Sequence, residues 1–343
     1  MNKFLIMVLV SVLMLGSKKP FSQQSGTALA SPIKKETVQE SIVFIAGLDE
    51  GDNTYYNNAK QYFENQGLPI VDSLYTIDDI VNYLNRAGEN QVRFNEIHIV
   101  SHSNAWLGMS LKTTRTGKRI TVKTLQNLAK EHAIETMCDY ITSNSKIIFH
   151  SCGLGENQPL LQELKNTFKA GQVVASSYFN VFGGKYAGHY LAKPYYGYYP
   201  TAESLGPAHI SKEFKETYPE VNIDWFTAIK TRKESSFGKA YSFKFNIPVD
   251  WEFTFDSVSD IPTLLNKEAI MDWISESPEM AEVLFKLNIP IEKFRWRSTV
   301  QGNKLIIKGK TTVLCVLAPI LQSNNVNEYQ NITFNDPLLY QIL

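Results

Sequence analysis

Four short apolar runs occur in the first half of the chain. They are SIVFIAG from Ser41, EIHIV from Glu96, KIIFH from Lys146 and QVVAS from Gln172. Runs of this length without alternation are typical of strands that are buried on both faces of a sheet. The pattern therefore predicts a sheet that is covered on both sides.

Between these runs the apolar residues recur at helical spacing, beginning near Tyr55, after Thr76 and after Pro159. Strands that alternate with helices predict an α/β domain with a mostly parallel sheet and helices on both faces. Residues 106–121 instead alternate apolar and polar side chains around a Thr-Gly pair. That stretch predicts a β-hairpin.

The pattern changes near the middle of the chain. The segment KPYYGYYP, residues 193–200, predicts an ordered loop at a domain boundary. Beyond it YSFKFNI and WEFTF alternate apolar and polar residues, which predicts half-exposed antiparallel strands, and a hairpin is predicted around Gly302. We therefore predict an α/β domain over residues 39–204 and an α+β domain of unknown role over residues 205–343.

The first residues have the pattern of an export signal. A short basic start is followed by a mostly apolar run from Phe4 to Gly16. As a helix this run spans roughly 20 Å, which is short of the ~30 Å hydrocarbon core of a bilayer. We predict a signal peptide over residues 1–22, a polar linker over residues 23–38 and no integral membrane span after signal removal. The protein is then expected to be secreted or periplasmic.

Charge and composition exclude some classes of partner. The chain carries 34 Lys and Arg against 34 Asp and Glu, so no overall field attracts nucleic acid. Phosphate-binding glycine loops and recognised metal-ligand spacings do not occur, so we expect no cofactor and no metal. The three cysteines, Cys138, Cys152 and Cys315, cannot all pair with one another, so at least one thiol is left over.

Two residues suited to nucleophilic chemistry follow buried strands. His102 follows EIHIV, and Cys152 follows KIIFH fifty residues later. Reactive groups gather at the carboxyl ends of strands in an open parallel sheet, and the intervening hairpin and helix can return the second strand beside the first. A thiol there attacks a carbonyl while the imidazole carries protons. The backbone N–H groups of Ser103 and Cys152 are the expected oxyanion donors.

This combination resembles the caspase-like cysteine peptidases, which include gingipain, clostripain, legumain, toxin self-processing domains and CHAT domains. IHIVSHS, GMSL and IIFHSCGLG occur in the family's order over about residues 40–190. The resemblance implies a caspase-like fold, Cys152 as nucleophile, His102 as proton carrier and a peptide or protein substrate. It also implies that VVASSYFNVFGGK, with Ser176 and Ser177, helps to form the pocket for the residue before the cut. Exported relatives usually prefer a basic substrate residue at that position.

The chain departs from that family at one position, because Ser103 stands where the family has glycine. Serine restricts the backbone and fills space that glycine leaves open. A catalytically inactive binding module is therefore an alternative to an exported cysteine endopeptidase. A further alternative is a serine esterase of α/β-hydrolase type that uses Ser103, although its nucleophile elbow requires a helix directly after the serine.

Overall fold

The structure of the protein is a computed structural model. It describes residues 37–47, 53–104, 106–131, 141, 144–183, 188–201, 205–232, 236, 238–320 and 333–343. The predicted signal peptide, most of the predicted linker and Cys138 lie outside these residues. The corresponding expectations stay predictions.

The described residues contain fourteen strands and eight α-helices. The strands are β1 (Thr37–Ala46), β2 (Ile70–Leu74), β3 (Val92–Val100), β4 (Ser103–Asn104), β5 (Gly108–Lys112), β6 (Arg119–Ile120), β7 (Lys146–His150), β8 (Gln172–Ser176), β9 (Phe179–Gly183), β10 (Gly188–Tyr199), β11 (Tyr241–Thr254), β12 (Arg295–Gln301), β13 (Lys304–Pro319) and β14 (Tyr340–Ile342). The helices are α1 (Thr54–Asn65), α2 (Ile77–Glu89), α3 (Val122–Glu131), α4 (Gln158–Phe168), α5 (Pro207–Thr217), α6 (Trp225–Lys230), α7 (Lys267–Glu276) and α8 (Pro278–Leu287).

The largest sheet has six strands in the order β14-β8-β7-β3-β1-β2. Its neighbouring strands are parallel, except that β14 pairs antiparallel with β8 at one edge. The four apolar runs of the sequence lie in β1, β3, β7 and β8. The predicted α/β class with a mostly parallel sheet is therefore confirmed.

Both faces of this sheet are covered, which explains why its strands are apolar without alternation. On one face, Phe44 belongs to a core cluster with residues of α2, α3 and α4. On the other face, Val43 packs with α1, and Ile148 packs with Leu191 of β10. Helices cover only part of the second face, because the second sheet covers the rest.

The second sheet is antiparallel, with the order β11-β13-β10-β9, and β12 pairs with β13. The hairpin predicted around Gly302 is the connection between β12 and β13. The boundary predicted at residue 205 does not separate the two sheets. β9 and β10 precede it but belong to the second sheet, whereas β14 follows it but belongs to the first. The residues Glu36–Leu343 form one compact unit.

The aromatic segment at residues 193–200, predicted as a loop, is almost entirely strand and forms the second half of β10. Tyr195 lies opposite Val316 of β13. Pro194 is tolerated because β9 pairs with β10 only as far as Ala192, so beyond that point the strand has a neighbour on one side only. The loop prediction was wrong because proline at a one-sided position does not interrupt a strand.

A small sheet with the order β4-β5-β6 directly follows His102. β5 pairs antiparallel with β6, which confirms the hairpin predicted over residues 106–121. β4 adds a third strand, with Ser103 opposite Met109. The chain between the two candidate catalytic residues therefore begins with this small sheet.

The structure bears on one of the predictions about partners. Within the described ranges, no helix combines the length and the apolar character that crossing a bilayer requires. The peptide or protein substrate and the lack of a nucleic-acid partner stay predictions.

Candidate active site

His102 and Cys152 follow two adjacent strands. β3 and β7 are parallel neighbours, and their register pairs Val100 with His150. Each candidate residue comes two positions later, so both leave the sheet at the same edge. Both residues line one cavity of about 670 Å³.

Three parts of the fold form the walls of this cavity. The first turn of α1 and the residues after β3 and β7 form one wall, and the small sheet forms another. The third wall comes from the second sheet and is mostly apolar. Its apolar members are Phe179, Val181, Phe182, Phe243, Phe245 and Leu317.

The imidazole of His102 is held by the start of α1. Asn53 Nδ2 and Oδ1 lie 3.0 and 3.3 Å from His102 Nε2. The Tyr55 ring stacks on the imidazole with 4.5 Å between centroids, and the His102 N–H donates to Tyr56 Oη at 3.1 Å. Asn53 Oδ1 accepts the Tyr55 N–H and has a second lone pair for an Nε2–H donor. When Nε2 of the neutral imidazole carries the proton and donates it to Asn53 Oδ1, Nδ1 is the basic nitrogen of the ring.

The sequence analysis did not predict Asn53 as a site residue and assigned Tyr55 only to a helix. The sequence nevertheless contains a signal for the position of Asn53. Asparagine is a favoured helix N-cap, and this one precedes the helix that follows β1. β1 lies beside β3 in the sheet, so that helix begins at the same sheet edge as His102.

The thiol of Cys152 is buried, with 7% of the residue exposed. Its Sγ–H donates to Asn180 O at 3.8 Å. Burial raises the pKa of the thiol to about 12, so the resting cysteine is protonated at neutral pH. Attack on a carbonyl therefore needs a general base, and His102 is a candidate base in the same cavity.

Two glycines shape the turn after Cys152. Gly153 has a φ of 66°, in the left-handed region that favours glycine, and its N–H donates to Tyr178 O at 3.1 Å. A Cβ at Gly155 would lie 2.6 Å from Ser177 N, which leaves no room for a side chain. The glycines of HSCGLG thus allow the turn to pack tightly against the chain after β8.

Ser103 lies in β4, so its backbone is extended and needs no conformation reserved for glycine. It is buried and lines the cavity. The chain runs from β4 into β5 rather than into a helix, so the geometry of a nucleophile elbow is absent at Ser103. The N–H groups of Ser103 and Cys152 remain the predicted oxyanion donors.

The structure does not bring Ser176 and Ser177 to the cavity. Ser176 is fully buried, and its Oγ donates to Leu339 O at 2.8 Å. Neither serine is among the described residues that line the cavity. The lining instead begins in β9, with residues 179–182. These residues are the part of the predicted pocket segment that faces the cavity.

Three buried histidines lie next to the site, although the described cavity lining does not include them. His98 Nδ1 lies 3.0 Å from His150 Nε2, and His189 Nε2 lies 3.0 Å from Asn180 Oδ1. Burial lowers the pKa of His150 well below its usual value and that of His189 to about 3. Both of these rings are therefore neutral at pH 7.

No metal-binding group was found in the part of the chain that the structure describes. There, no cluster of three or more His, Cys, Asp or Glu side chains has a suitable arrangement. His98 and His150 contact each other directly, which is typical of a packed polar core.

Comparison with known proteins identifies no family. No protein-family model matches the chain, and no curated protein matches it significantly. Support for the candidate site therefore comes from the chemistry and the geometry of its residues.

Proposed function

We propose that the chain is a cysteine endopeptidase in which Cys152 is the nucleophile and His102 is the proton carrier. One observation carries the proposal: the two residues follow adjacent parallel strands in register and line the same cavity. A caspase-like fold is part of it. The mostly parallel sheet and the small sheet after His102 support that fold assignment.

In the proposed reaction, a substrate carbonyl enters the cavity and the sulfur of Cys152 bonds to its carbon. His102 takes the thiol proton, and the carbonyl oxygen takes the negative charge. The N–H groups of Ser103 and Cys152 donate to this oxyanion. When the intermediate collapses, His102 gives its proton to the leaving amine, and an acyl thioester remains on Cys152.

Water then hydrolyses the thioester. His102 removes a proton from the water as its oxygen bonds to the carbonyl carbon, and the C–S bond breaks while the sulfur regains a proton. The products are a carboxylic acid and the free thiol. The Asn53 amide and the stacked Tyr55 ring keep the imidazole in one orientation through both steps.

A binding module without catalysis is the second candidate. The burial of Cys152 favours it, since burial raises the pKa of the thiol and keeps it protonated at rest. The cavity then holds a peptide, but no bond breaks. We propose a secreted or periplasmic location from the predicted signal peptide alone. This proposal is therefore the same for either function.

Cleavage of a peptide library by the parent protein and by Cys152→Ala tests the endopeptidase proposal. We expect the parent to cut beside one preferred residue type, and the variant to lose about a thousandfold or more in kcat/KM. Cys315→Ala is the matched control, because Cys315 is a second buried free thiol and does not line the cavity. Equal cleavage by the parent and Cys152→Ala contradicts the proposal.

The same assay separates the alternatives. A folded parent that binds library peptides but cuts none of them indicates the binding module. Activity that is lost in Ser103→Ala and kept in Cys152→Ala indicates a serine nucleophile instead. Circular dichroism and thermal unfolding of each variant show whether it is folded.

A further inference from the structure

We propose that one face of the second sheet binds an acidic polysaccharide, whose carboxylate or sulfate groups contact four cationic side chains. These side chains are Arg295, Arg297, Lys308 and Lys310. They line a concavity of about 430 Å³, whose described lining shares no residue with that of the candidate active site. The inference therefore does not depend on the proposed peptidase chemistry.

The four cations form two rows across neighbouring strands. Arg295 of β12 lies opposite Lys310 of β13, and Arg297 lies opposite Lys308. Residues that are directly opposite in a ladder point to the same face of a sheet, and so do residues two positions apart in one strand. All four side chains thus share one face. The other face, which carries Trp296, packs against α7 and α8.

This arrangement is unfavourable for the sheet itself. Like charges that lie directly opposite each other destabilise a strand pair. Among the described residues, none of the four cations has an ion-pair partner. The same face does pair its charges elsewhere, since Lys304 Nζ lies 2.5 Å from Glu252 Oε1. The stability of the sheet therefore does not account for the two rows of cations, and a bound anion does.

Protection of a free strand edge explains only half of this charge. β12 pairs with β13 alone, and charged side chains on such an edge strand prevent its pairing with another molecule. Lys308 and Lys310 instead lie on β13, which at these positions has β11 on one side and β12 on the other. Because their charges do not protect an edge, they point to a ligand that lies on the face.

The shape and the chemistry of the concavity favour a narrow ligand with hydroxyl groups. A concave surface contacts a single chain from both rows of cations, whereas the surface of a bilayer is flat. The described lining contains no aromatic side chain on which the bases of a single-stranded nucleic acid could stack. It does contain Asp250, which lies opposite Lys308 and can accept hydrogen bonds from hydroxyls. An acidic polysaccharide supplies both anionic groups and hydroxyl donors.

Binding of fluorescein-labelled hexasaccharides from heparin and from polygalacturonate to the full chain tests the proposal by anisotropy. We expect both to bind at low salt and to bind more weakly as salt is raised, since exposed charges are screened. The double variant Arg297→Gln/Lys308→Gln should bind them about tenfold more weakly. Because this variant also relieves repulsion between like charges, its Tm should equal or exceed that of the parent. Lost affinity then reflects lost contacts and not misfolding.

The matched control is the double variant Lys212→Gln/Lys286→Gln. It removes two exposed lysines of α5 and α8, so it changes the net charge by the same amount outside the concavity. We expect it to change the affinity for either hexasaccharide by less than about twofold, because salt screens distant charges.

Asp250→Ala separates a polysaccharide from a ligand that is held by charge alone. Loss of the carboxylate should strengthen the binding of inorganic polyphosphate, which has no hydroxyls along its chain. For the hexasaccharides, the lost hydrogen bonds should outweigh the relieved repulsion, so their affinity should fall about threefold.

The proposal is wrong if neither hexasaccharide binds, or if Arg297→Gln/Lys308→Gln binds them as tightly as the parent. Tighter binding of Asp250→Ala to the hexasaccharides also overturns it. If oligothymidylate or phosphatidylserine vesicles bind more tightly than both hexasaccharides, the partner is a nucleic acid or a membrane instead. None of these measurements involves peptide cleavage, so failure of the endopeptidase proposal leaves them unchanged.

Discussion

At the scale of the residue, Cys152 places a reactive atom in surroundings that suppress its ionisation. With a thiol pKa of about 12, almost every molecule carries the protonated thiol at pH 7. Reactivity then depends on proton transfer to His102 while a substrate is bound, rather than on a preformed thiolate. Reagents should therefore differ in rate according to whether they occupy the cavity.

We expect iodoacetamide to modify native Cys152 slowly at pH 7, because it reacts with the thiolate alone. A peptidyl acyloxymethyl ketone places its carbonyl in the cavity and should react about a hundredfold faster. Mass spectrometry over time measures both rates. Cys315 is the internal control, since it is also buried and neither reagent should label it in the folded protein. Equal rates for the two reagents at Cys152 contradict this prediction.

Asn53 has two roles that can be separated. Its side chain caps α1 and also contacts His102. Asn53→Ser keeps a capping oxygen but is too short to reach the imidazole, whereas Asn53→Ala loses both contacts. We expect both variants to lower kcat/KM about tenfold, while only Asn53→Ala lowers the free energy of unfolding, by about 1 kcal/mol. Peptide cleavage kinetics and urea denaturation measure the two effects. Full activity in Asn53→Ser would show that Asn53 acts only as the helix cap and that its contact with His102 does not contribute to catalysis.

At the scale of the element, local patterns predict the strands that end at the site. The apolar runs of β3 and β7 are recognisable because both faces of their sheet are buried, and each run leads directly to His102 or Cys152. The contact between Asn53 and His102 cannot be read from such patterns, because it depends on β1 lying beside β3. β10 was missed for a related reason. Pro194 and Pro200 indicate a loop unless the one-sided pairing of that segment is known.

Trp106 joins the small sheet to the second sheet and α8. Its ring lies edge-on to Tyr196 at 4.9 Å, and its Nε1–H donates to Leu287 O at 2.9 Å. We expect Trp106→Phe to lower the free energy of unfolding by about 1 kcal/mol through the lost hydrogen bond. Trp106→Ala should cost roughly 3 kcal/mol because the aromatic packing is also lost. Urea denaturation measures both changes.

Phe285→Ala is the control for these variants. Phe285 lies on α8, but 85% of it is exposed, so its removal should change stability by less than about 0.5 kcal/mol. Because the small sheet carries Ser103, whose N–H is a proposed oxyanion donor, Trp106→Ala should also lower kcat/KM. Equal stability of the parent and Trp106→Ala would show that the small sheet is not anchored through this ring.

At the scale of the whole molecule, the two sheets share a buried polar core. His98 lies on β3, His150 on β7 and His189 on β10. The ring centroids of His98 and His150 are 5.2 Å apart, and those of His150 and His189 are 5.4 Å apart. No local pattern predicts this cluster, because it forms only when β10 of the second sheet covers the first sheet. The neutral rings of His150 and His189 make the stability of the molecule sensitive to acid.

We predict that the protein loses stability between pH 6.5 and pH 5. Histidine in the unfolded chain has a pKa near 6.5, whereas in the folded protein the pKa of His150 is well below that and that of His189 is about 3. As the pH falls below 6.5, the unfolded chain binds protons that the folded protein does not. Each of these histidines then lowers the free energy of unfolding by roughly 1–2 kcal/mol by pH 5, and the loss continues toward the folded pKa.

Urea denaturation at pH 7, 6 and 5 measures this slope. His189→Gln takes up no proton in that range, so its loss between pH 7 and pH 5 should be smaller than that of the parent by roughly 1–2 kcal/mol, whatever its stability at pH 7. Phe285→Ala, which removes no titratable group, should keep the parent slope. Glu96 titrates below this window because His98, with its Nε2 3.6 Å from the carboxylate, lowers the pKa of Glu96. Parallel slopes for the parent and His189→Gln contradict the prediction, because the buried histidine would then contribute nothing to the acid response.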